Sequence, residues 1–146
     1  MERLVDACRT RGMRVTPQRL AVYRVVSAAT SHPAVEQVWR EVRQSLPSIS
    51  LDTVYRTLES LERLGLVRRL NPLEKVRYDG NTGMHHHFIC AVCGDIIDVH
   101  TPPLPKPTEE VCRCGEITSM ALHIHGVCRR CAAQSRSAER PTAGKS

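Results

Sequence analysis

Asp79-Gly80-Asn81-Thr82-Gly83-Met84-His85-His86-His87-Phe88-Ile89-Cys90-Ala91-Val92-Cys93 sets two kinds of metal donor side by side. Asp79, His85 and His87 offer oxygen and nitrogen, while Cys90 and Cys93 offer sulfur in a C-x-x-C knuckle. A second knuckle, Cys128-Arg129-Arg130-Cys131, lies downstream. The chain before this stretch reads as a small, helical, basic unit. The chain after it reads as the rest of a metal-bearing one.

Two knuckles allow four thiolates, Cys90, Cys93, Cys128 and Cys131, to close a tetrahedron around one zinc ion with no open position for chemistry. The competing readings are two unrelated thiol pairs or a redox C-x-x-C. Seven cysteines is an odd count, and in a reducing compartment this pattern favours metal thiolates over disulfides. Cys8 reads as a buried core thiol. Cys112 and Cys114 form a C-x-C read as an exposed loop, with a labile thiol pair as the alternative.

His85 and His87 alternate by two and so face one side of a strand. Asp98 falls on a neighbouring strand candidate. Imidazoles and carboxylates together suit Fe(II), Mn(II) or Zn(II) better than soft metals; a surface histidine cluster is the plainer reading. His86 points the other way. His100, His123 and His125 stay open, although His123 and His125 share a strand face and suit a further site.

Working outward toward the N-terminus, residues 2–12 read as a short helix stopped by Gly12. Thr16-Pro17 is an N-cap followed by a first helical residue, starting a helix to about Ala29. Ser31-His32-Pro33 is read as a second start signal. Val35, Val38, Trp39, Val42 and Leu46 follow at helical spacing, and Pro47 ends the run. Ser50 or Asp52 caps the next helix, which Gly65 terminates. Its inner face is Val54, Leu58 and Leu61; Thr53, Arg56, Thr57 and Ser60 are assigned to the outer one. That outer face fits a major groove, or it is an ordinary solvated face. Leu66–Leu70 and Lys75–Asp79 read as a two-stranded ribbon around a turn at Asn71-Pro72, with Arg68, Arg69, Lys75 and Arg77 available to a phosphate backbone. Three helices and a ribbon make a winged helix-turn-helix.

Charge follows the same division. Residues 1–80 hold 14 Lys and Arg against 9 Asp and Glu, and residues 81–146 hold 7 against 6. The first half is thus the nucleic-acid candidate. One Phe and one Trp argue against an aromatic platform for single strands. No apolar run approaches the roughly 20 residues of a membrane span, and the first residues lack a signal-peptide core, so a cytoplasmic protein is expected. Gly80–Gly83 reads as a flexible hinge. Beyond it, His87–Ile89, Ile96–Val99 and Ala121–His125 are strand candidates, with Pro102, Pro103, Pro105 and Pro107 forcing a loop between the last two. The expected class is α+β: a winged-helix unit over residues 1–80, a small metal-binding α/β unit over 84–134, and a disordered tail over 135–146.

These motifs carry a resemblance. Arg14-Val-Thr-Pro-Gln-Arg19, His32-Pro33, Ser50-Leu-Asp-Thr-Val-Tyr-Arg-Thr-Leu58, Gly65-Leu-Val67, His85–Gly94 and Gly126-Val-Cys-Arg-Arg-Cys131 resemble the ferric uptake regulator (Fur) family from about Gly12 to Cys131. The resemblance implies a homodimer with an N-terminal winged helix and a C-terminal dimerisation lobe holding structural zinc. It implies a repressor that closes on double-stranded operator DNA when metal loads a second site, and no enzyme. It brings His32 into that site, giving His32, Asp79, His85, His87 and Asp98 as ligands of regulatory iron or manganese. It also implies that the helix matching Asp52–Leu64 enters the major groove, with Tyr55 and Arg56 at its DNA-contacting positions; Arg14, Gln18 and Arg19 of the first motif, Thr53 and Thr57 of the outer face and Lys75 of the ribbon complete the candidate DNA-binding set.

Asp at positions 79 and 98, where iron sensors of the family usually carry Glu, resembles the peroxide-responsive branch. In that branch peroxide reacts with bound Fe(II) and a ligand histidine is oxidised; His32 and His85 match those positions. Iron- or zinc-responsive repression is the nearest alternative, and a thiol switch through Cys112 and Cys114 or a zinc or thiol enzyme a distant one.

Overall fold

The computed structural model describes every residue except 72–74, 101–104, 118–119, 121 and 139–146. The chain separates into two compact units, Met1–Gly83 and Met84–Ser146.

The first unit carries α1 (Glu2–Thr10), α2 (Pro17–Ala28), α3 (Val35–Val42), α4 (Leu51–Arg63), β1 (Arg68–Leu70) and β2 (Arg77–Asp79). Thr16 caps α2 by accepting the Arg19 N–H at 3.3 Å, with Pro17 at the first helical position. Ser50, not Asp52, caps α4, accepting the Thr53 N–H at 3.1 Å. At the far end of α4 the Gly65 N–H donates to Glu62 and the Leu66 N–H to Leu61, the paired bonds of a Schellman stop. The expected Ser31 cap is not formed. Ala34 occupies that position, and its N–H donates to the Gln37 side chain at 2.7 Å. α3 also ends earlier than the apolar stripe suggested, at Val42, with turns running on to Leu46.

One core closes this unit. Leu4 and Cys8 from α1, Val22 and Val26 from α2, Val38 and Val42 from α3, and Val54, Leu58 and Leu61 from α4 are all fully buried. Each buried aliphatic side chain contributes about 1.5–3 kcal/mol. Cys8 is thus a core thiol. β1 and β2 pair antiparallel with Arg69 opposite Tyr78, and Tyr78 plugs the ribbon into the same core. The result is a winged helix-turn-helix; Pro72 of the expected turn lies outside the described residues.

The second unit carries β3 (His86–Cys90), β4 (Ile96–Val99), α5 (Glu109–Arg113), β5 (His123–Gly126) and α6 (Arg129–Ala138). Its sheet has the order β4-β3-β5, with β3 antiparallel to β4 and parallel to β5. The class is therefore α+β, helices first and sheets after. Two expectations are corrected. The proline-rich connection is not all loop: Thr108 caps the short α5, accepting the Val111 N–H at 3.4 Å. Pro105 and Pro107 remain outside regular structure, while Pro102, Pro103 and Ala121 lie outside the described residues. The assumed tail also starts too early. α6 runs through Ala138, with the Ser135 hydroxyl donating to the Cys131 carbonyl; residues 139–146 lie outside the described residues. No helix among the described residues is long and apolar enough to cross a membrane.

Candidate metal centres

One buried cluster of the second unit is built of cysteines: Cys90, Cys128 and Cys131 pack with Cys93 and Phe88. Cys90 ends β3, the turn at Cys93 follows, and Cys131 sits in the first turn of α6. Gly94, at φ 70°, lets the first knuckle fold back, so that its N–H donates to the Cys90 carbonyl at 2.9 Å. The four sulfurs all lie within 4.8 Å of one another. The Cys93 and Cys128 sulfurs are 3.8 Å apart, far beyond the ~2.05 Å of a disulfide. That spacing matches the edge, about 3.8 Å, of a tetrahedron with ~2.3 Å Zn–S bonds. The donors thus fit one structural zinc ion. Backbone N–H groups of Cys93 and then Cys128 hold the Cys90 thiol down to about 6. The neighbouring Cys128 and burial push Cys131 up to about 12. A metal ion deprotonates both.

A second donor set lies on the face of the same sheet. The register places Asp98 directly across from His87, and His85 is two residues earlier on that face. The His85 and His87 Nε2 atoms stand 2.9 Å apart. Asp98 Oδ1 lies 3.5 Å from the first and 3.8 Å from the second. Donors ~2.1 Å from one ion would be about 3.0–3.4 Å apart, so a small rotation of Asp98 completes the set. Two imidazoles and a carboxylate on one face are the donor chemistry of a non-haem Fe(II) triad. His86 faces away, and its Nδ1 accepts the Leu122 N–H at 3.3 Å.

The remaining two expected ligands form a pair inside the first unit. His32 and Asp79 are both buried, with Nε2 and Oδ1 3.9 Å apart. Asp79 is the last residue of β2. The segment after it is also tied down. Asp79 Oδ1 accepts the Asn81 N–H and Asn81 Oδ1 accepts the Gly83 N–H. The Arg68 guanidinium donates to the Thr82 and Gly83 carbonyls at 2.7 and 3.1 Å. Arg68, read from sequence as a backbone-phosphate contact, is spent on that segment.

The residues expected at DNA divide. Arg14, Gln18, Tyr55, Arg56 and Lys75 are exposed and Thr53 is half-buried. Arg19 is half-buried, and its guanidinium donates to the Arg14 carbonyl and Ser60 hydroxyl. Thr57 does not belong on the outer face: it is buried, and its hydroxyl donates to the Thr53 carbonyl at 2.7 Å. Its position three residues after Val54 and four before Leu61 was the available signal. A groove of about 630 Å³ between α3 and the ribbon is lined by Arg40, Arg69, Lys75, Arg77 and Tyr55; sequence reasoning gave no hint of Arg40. Cys112 and Cys114 are exposed, on and at the end of α5.

The sequence model of the ferric uptake regulator family matches residues 10–125. The chain belongs to that family. It is 32% identical to the peroxide-responsive repressor PerR of Staphylococcus epidermidis over 134 residues, 90% of this chain and 89% of that protein. Its fold is similar to that of the Helicobacter pylori ferric uptake regulator Fur, described as having three functional metal-binding sites, at TM-score 0.74 and 26% identity over 90% of both chains. The Campylobacter jejuni peroxide stress regulator is similar at TM-score 0.63 and 27% identity, covering 79% of this chain and 89% of that one. Membership agrees with the two donor sets and with a winged helix at the N-terminus.

Proposed function

We propose that the chain is a metal-dependent, DNA-binding transcriptional repressor, acting as a homodimer and sensing hydrogen peroxide. The observation that carries this reading is the convergence of His85, His87 and Asp98 as nitrogen and oxygen donors, separate from a closed all-thiol site. No cysteine competes in that set, which favours iron or manganese over a zinc-sensing thiolate. Likeness to the PerR of S. epidermidis supports the peroxide branch. The basic winged helix, with Tyr55 and Arg56 exposed on α4, supports operator binding through the major groove.

In this reading His32 and Asp79 of the first unit join His85, His87 and Asp98 as ligands of one regulatory ion. An ion held by donors from both units would couple metal loading to the DNA-binding arrangement. Zinc in the cysteine site holds the second unit folded. An Fe(II) ion held there would promote cleavage of the peroxide O–O bond, one oxygen leaving as water and the other inserting into an imidazole C–H bond; His32 and His85 are the proposed targets. Loss of one imidazole donor would weaken metal binding and with it the coupling to DNA. Manganese, which does not carry this reaction, leaves the repressor insensitive.

The test is operator binding with Fe(II), Mn(II) or Zn(II) in the second site, before and after peroxide. The expected result is release only from the iron form, with one oxygen atom added to a peptide bearing His32 or His85. Iron-form binding that survives peroxide overturns the peroxide reading in favour of an iron-responsive repressor, the reading that likeness to the H. pylori Fur favours. Binding with zinc alone moves the protein to zinc sensing. A response abolished by Cys112→Ser and spared by His85→Ala makes it a thiol switch.

A further inference from the structure

Three strands place one donor row across the sheet. Asp98 on β4 faces His87 on β3, and on the other side of β3 His87 faces His123 on β5. Directly opposed residues share a sheet face, with Cβ atoms roughly 4.5–5.5 Å apart in the closely related antiparallel case. The third position of this row is absent from the ligand set inferred above. We propose that His123 is a fourth protein donor of the second unit, so that His85, His87, Asp98 and His123 hold one divalent cation without any residue of the first unit. This rests on the regulatory-site reading and deepens it.

Ring geometry supports the assignment. The His87 and His123 rings meet edge to face, centroids 5.7 Å apart and planes at 71°. The His85 and His87 pair, whose donors already converge, has the same arrangement at 4.6 Å and 79°. His123 is exposed on β5, so its ring rotates toward its neighbours without disturbing a packed core. Two other imidazoles are less well placed. His100 lies 6.2 Å from His85, tilted at 46° and exposed at the end of β4. His125 stands opposite Ile89 rather than opposite a donor. Three imidazoles and one carboxylate form a set that borderline divalent ions accept in four-coordinate geometry.

The consequence concerns how the ion is retained. With three donors, the second unit needs His32 and Asp79 to hold it. With four, the ion stays on the second unit when those two are lost, and a conformational change of the first unit is a response to the ion rather than a condition of capture.

The experiment uses full-length protein with zinc in the cysteine site, titrated with Co(II). In the His32→Ala/Asp79→Ala variant one further Co(II) is expected to bind, with the intense visible absorption of a four-coordinate ion. Adding His123→Ala should weaken that binding about tenfold or more and change the spectrum. His123→Gln should do the same at nearly constant volume, while His100→Ala leaves both unchanged. Retained zinc and an unchanged circular dichroism spectrum establish that each variant is folded. The proposal is overturned if the double variant binds no further Co(II), or binds it equally well with and without His123. The regulatory-site reading fails separately, if His85→Ala in the otherwise unchanged chain leaves Co(II) binding intact.

Discussion

The Tyr78 amide donates to the carbonyl of Pro33 at 3.0 Å. Pro33 follows His32 and Asp79 follows Tyr78, so this bond between the ribbon and the turn before α3 sets the two donors side by side. His32 is held at φ 49°, the one non-glycine residue with positive φ among those described. A left-handed conformation costs about 1–2 kcal/mol. The Tyr78 bond on one side and α3 on the other over-determine the turn and keep the strained residue in place.

Gly80 continues that geometry and is expected to tolerate no side chain. A Cβ there would lie 2.5 Å from the Val26 carbonyl oxygen and 2.7 Å from the Ser27 Cα, both backbone atoms at the end of α2. Gly80→Ala must therefore push the end of β2 away and carry Asp79 with it. A loss of about 1–3 kcal/mol of stability and weaker Mn(II) binding are expected in urea unfolding and metal titration. Gly83→Ala, whose Cβ would meet only the Asn81 side chain at 3.2 Å, is the control. Equal unfolding midpoints for the two variants would show that the close approach is not felt.

Cysteine substitutions should separate the closed site from the exposed pair. Because Cys90, Cys128 and Cys131 form a buried cluster of the second unit, losing the metal there removes folding free energy as well as a ligand. Cys131→Ser is expected to lose zinc, measured by atomic absorption, and the cooperative melting of the second unit. The first unit, with its own core, should keep its helical circular dichroism. Cys112→Ser and Cys114→Ser touch exposed thiols and should retain zinc and melt like the parent. Zinc retained at full stoichiometry in Cys131→Ser would remove it from the site.

What was legible in the sequence was chiefly local. Thr16-Pro17, Ser50 and Gly65 mark helix ends because a cap or stop is satisfied by residues three to five away. The two cysteine knuckles are equally local and met as expected. Asp98 beside His87 needed only an alternation pattern and one strand pairing. The misses came from partners and packing that residue type alone does not reveal. Ser31 failed as a cap because α3 starts later, with Ala34 as its N-cap and the Ala34 N–H satisfied by the Gln37 side chain. Thr57 looked polar but fell on the buried stripe, its hydroxyl satisfied within the helix. Arg68 looked like a phosphate ligand but finds carbonyls fourteen and fifteen residues away. The glycine-rich stretch after Asp79 looked like a hinge for the same reason: composition shows freedom in the unfolded chain, not the bonds that end it.

Stability should also fall at high pH through Tyr78. Burial, partly offset by Arg69, raises its pKa above the ordinary 10. The folded state thus prefers the protonated phenol. This contribution is fully present below the unfolded value of about 10 and is lost as pH rises through the higher folded value. Urea midpoints measured between pH 8 and 11 should decline, and Tyr78→Phe should decline less steeply. Parallel slopes for the two proteins would remove Tyr78 as the cause.

Arg56 and Thr57 are adjacent on α4 and should behave oppositely. The Arg56 side chain is 76% exposed and is paired with Asp52 one turn earlier at 3.0 Å. Such a surface pair is worth at most about 1 kcal/mol, so DNA displaces it readily. Arg56→Ala is expected to weaken operator binding by about 1–3 kcal/mol if the guanidinium meets a base edge. Thr57→Val keeps the buried volume and removes a hydroxyl whose partner is the Thr53 carbonyl; operator binding should be unchanged, and stability altered by about 1 kcal/mol. Fluorescence anisotropy with labelled operator at one fixed salt concentration reads both, since phosphate contacts make affinity steeply salt-dependent. Equal losses from both substitutions would mean that α4 meets DNA through a different face from the one that exposes Tyr55 and Arg56.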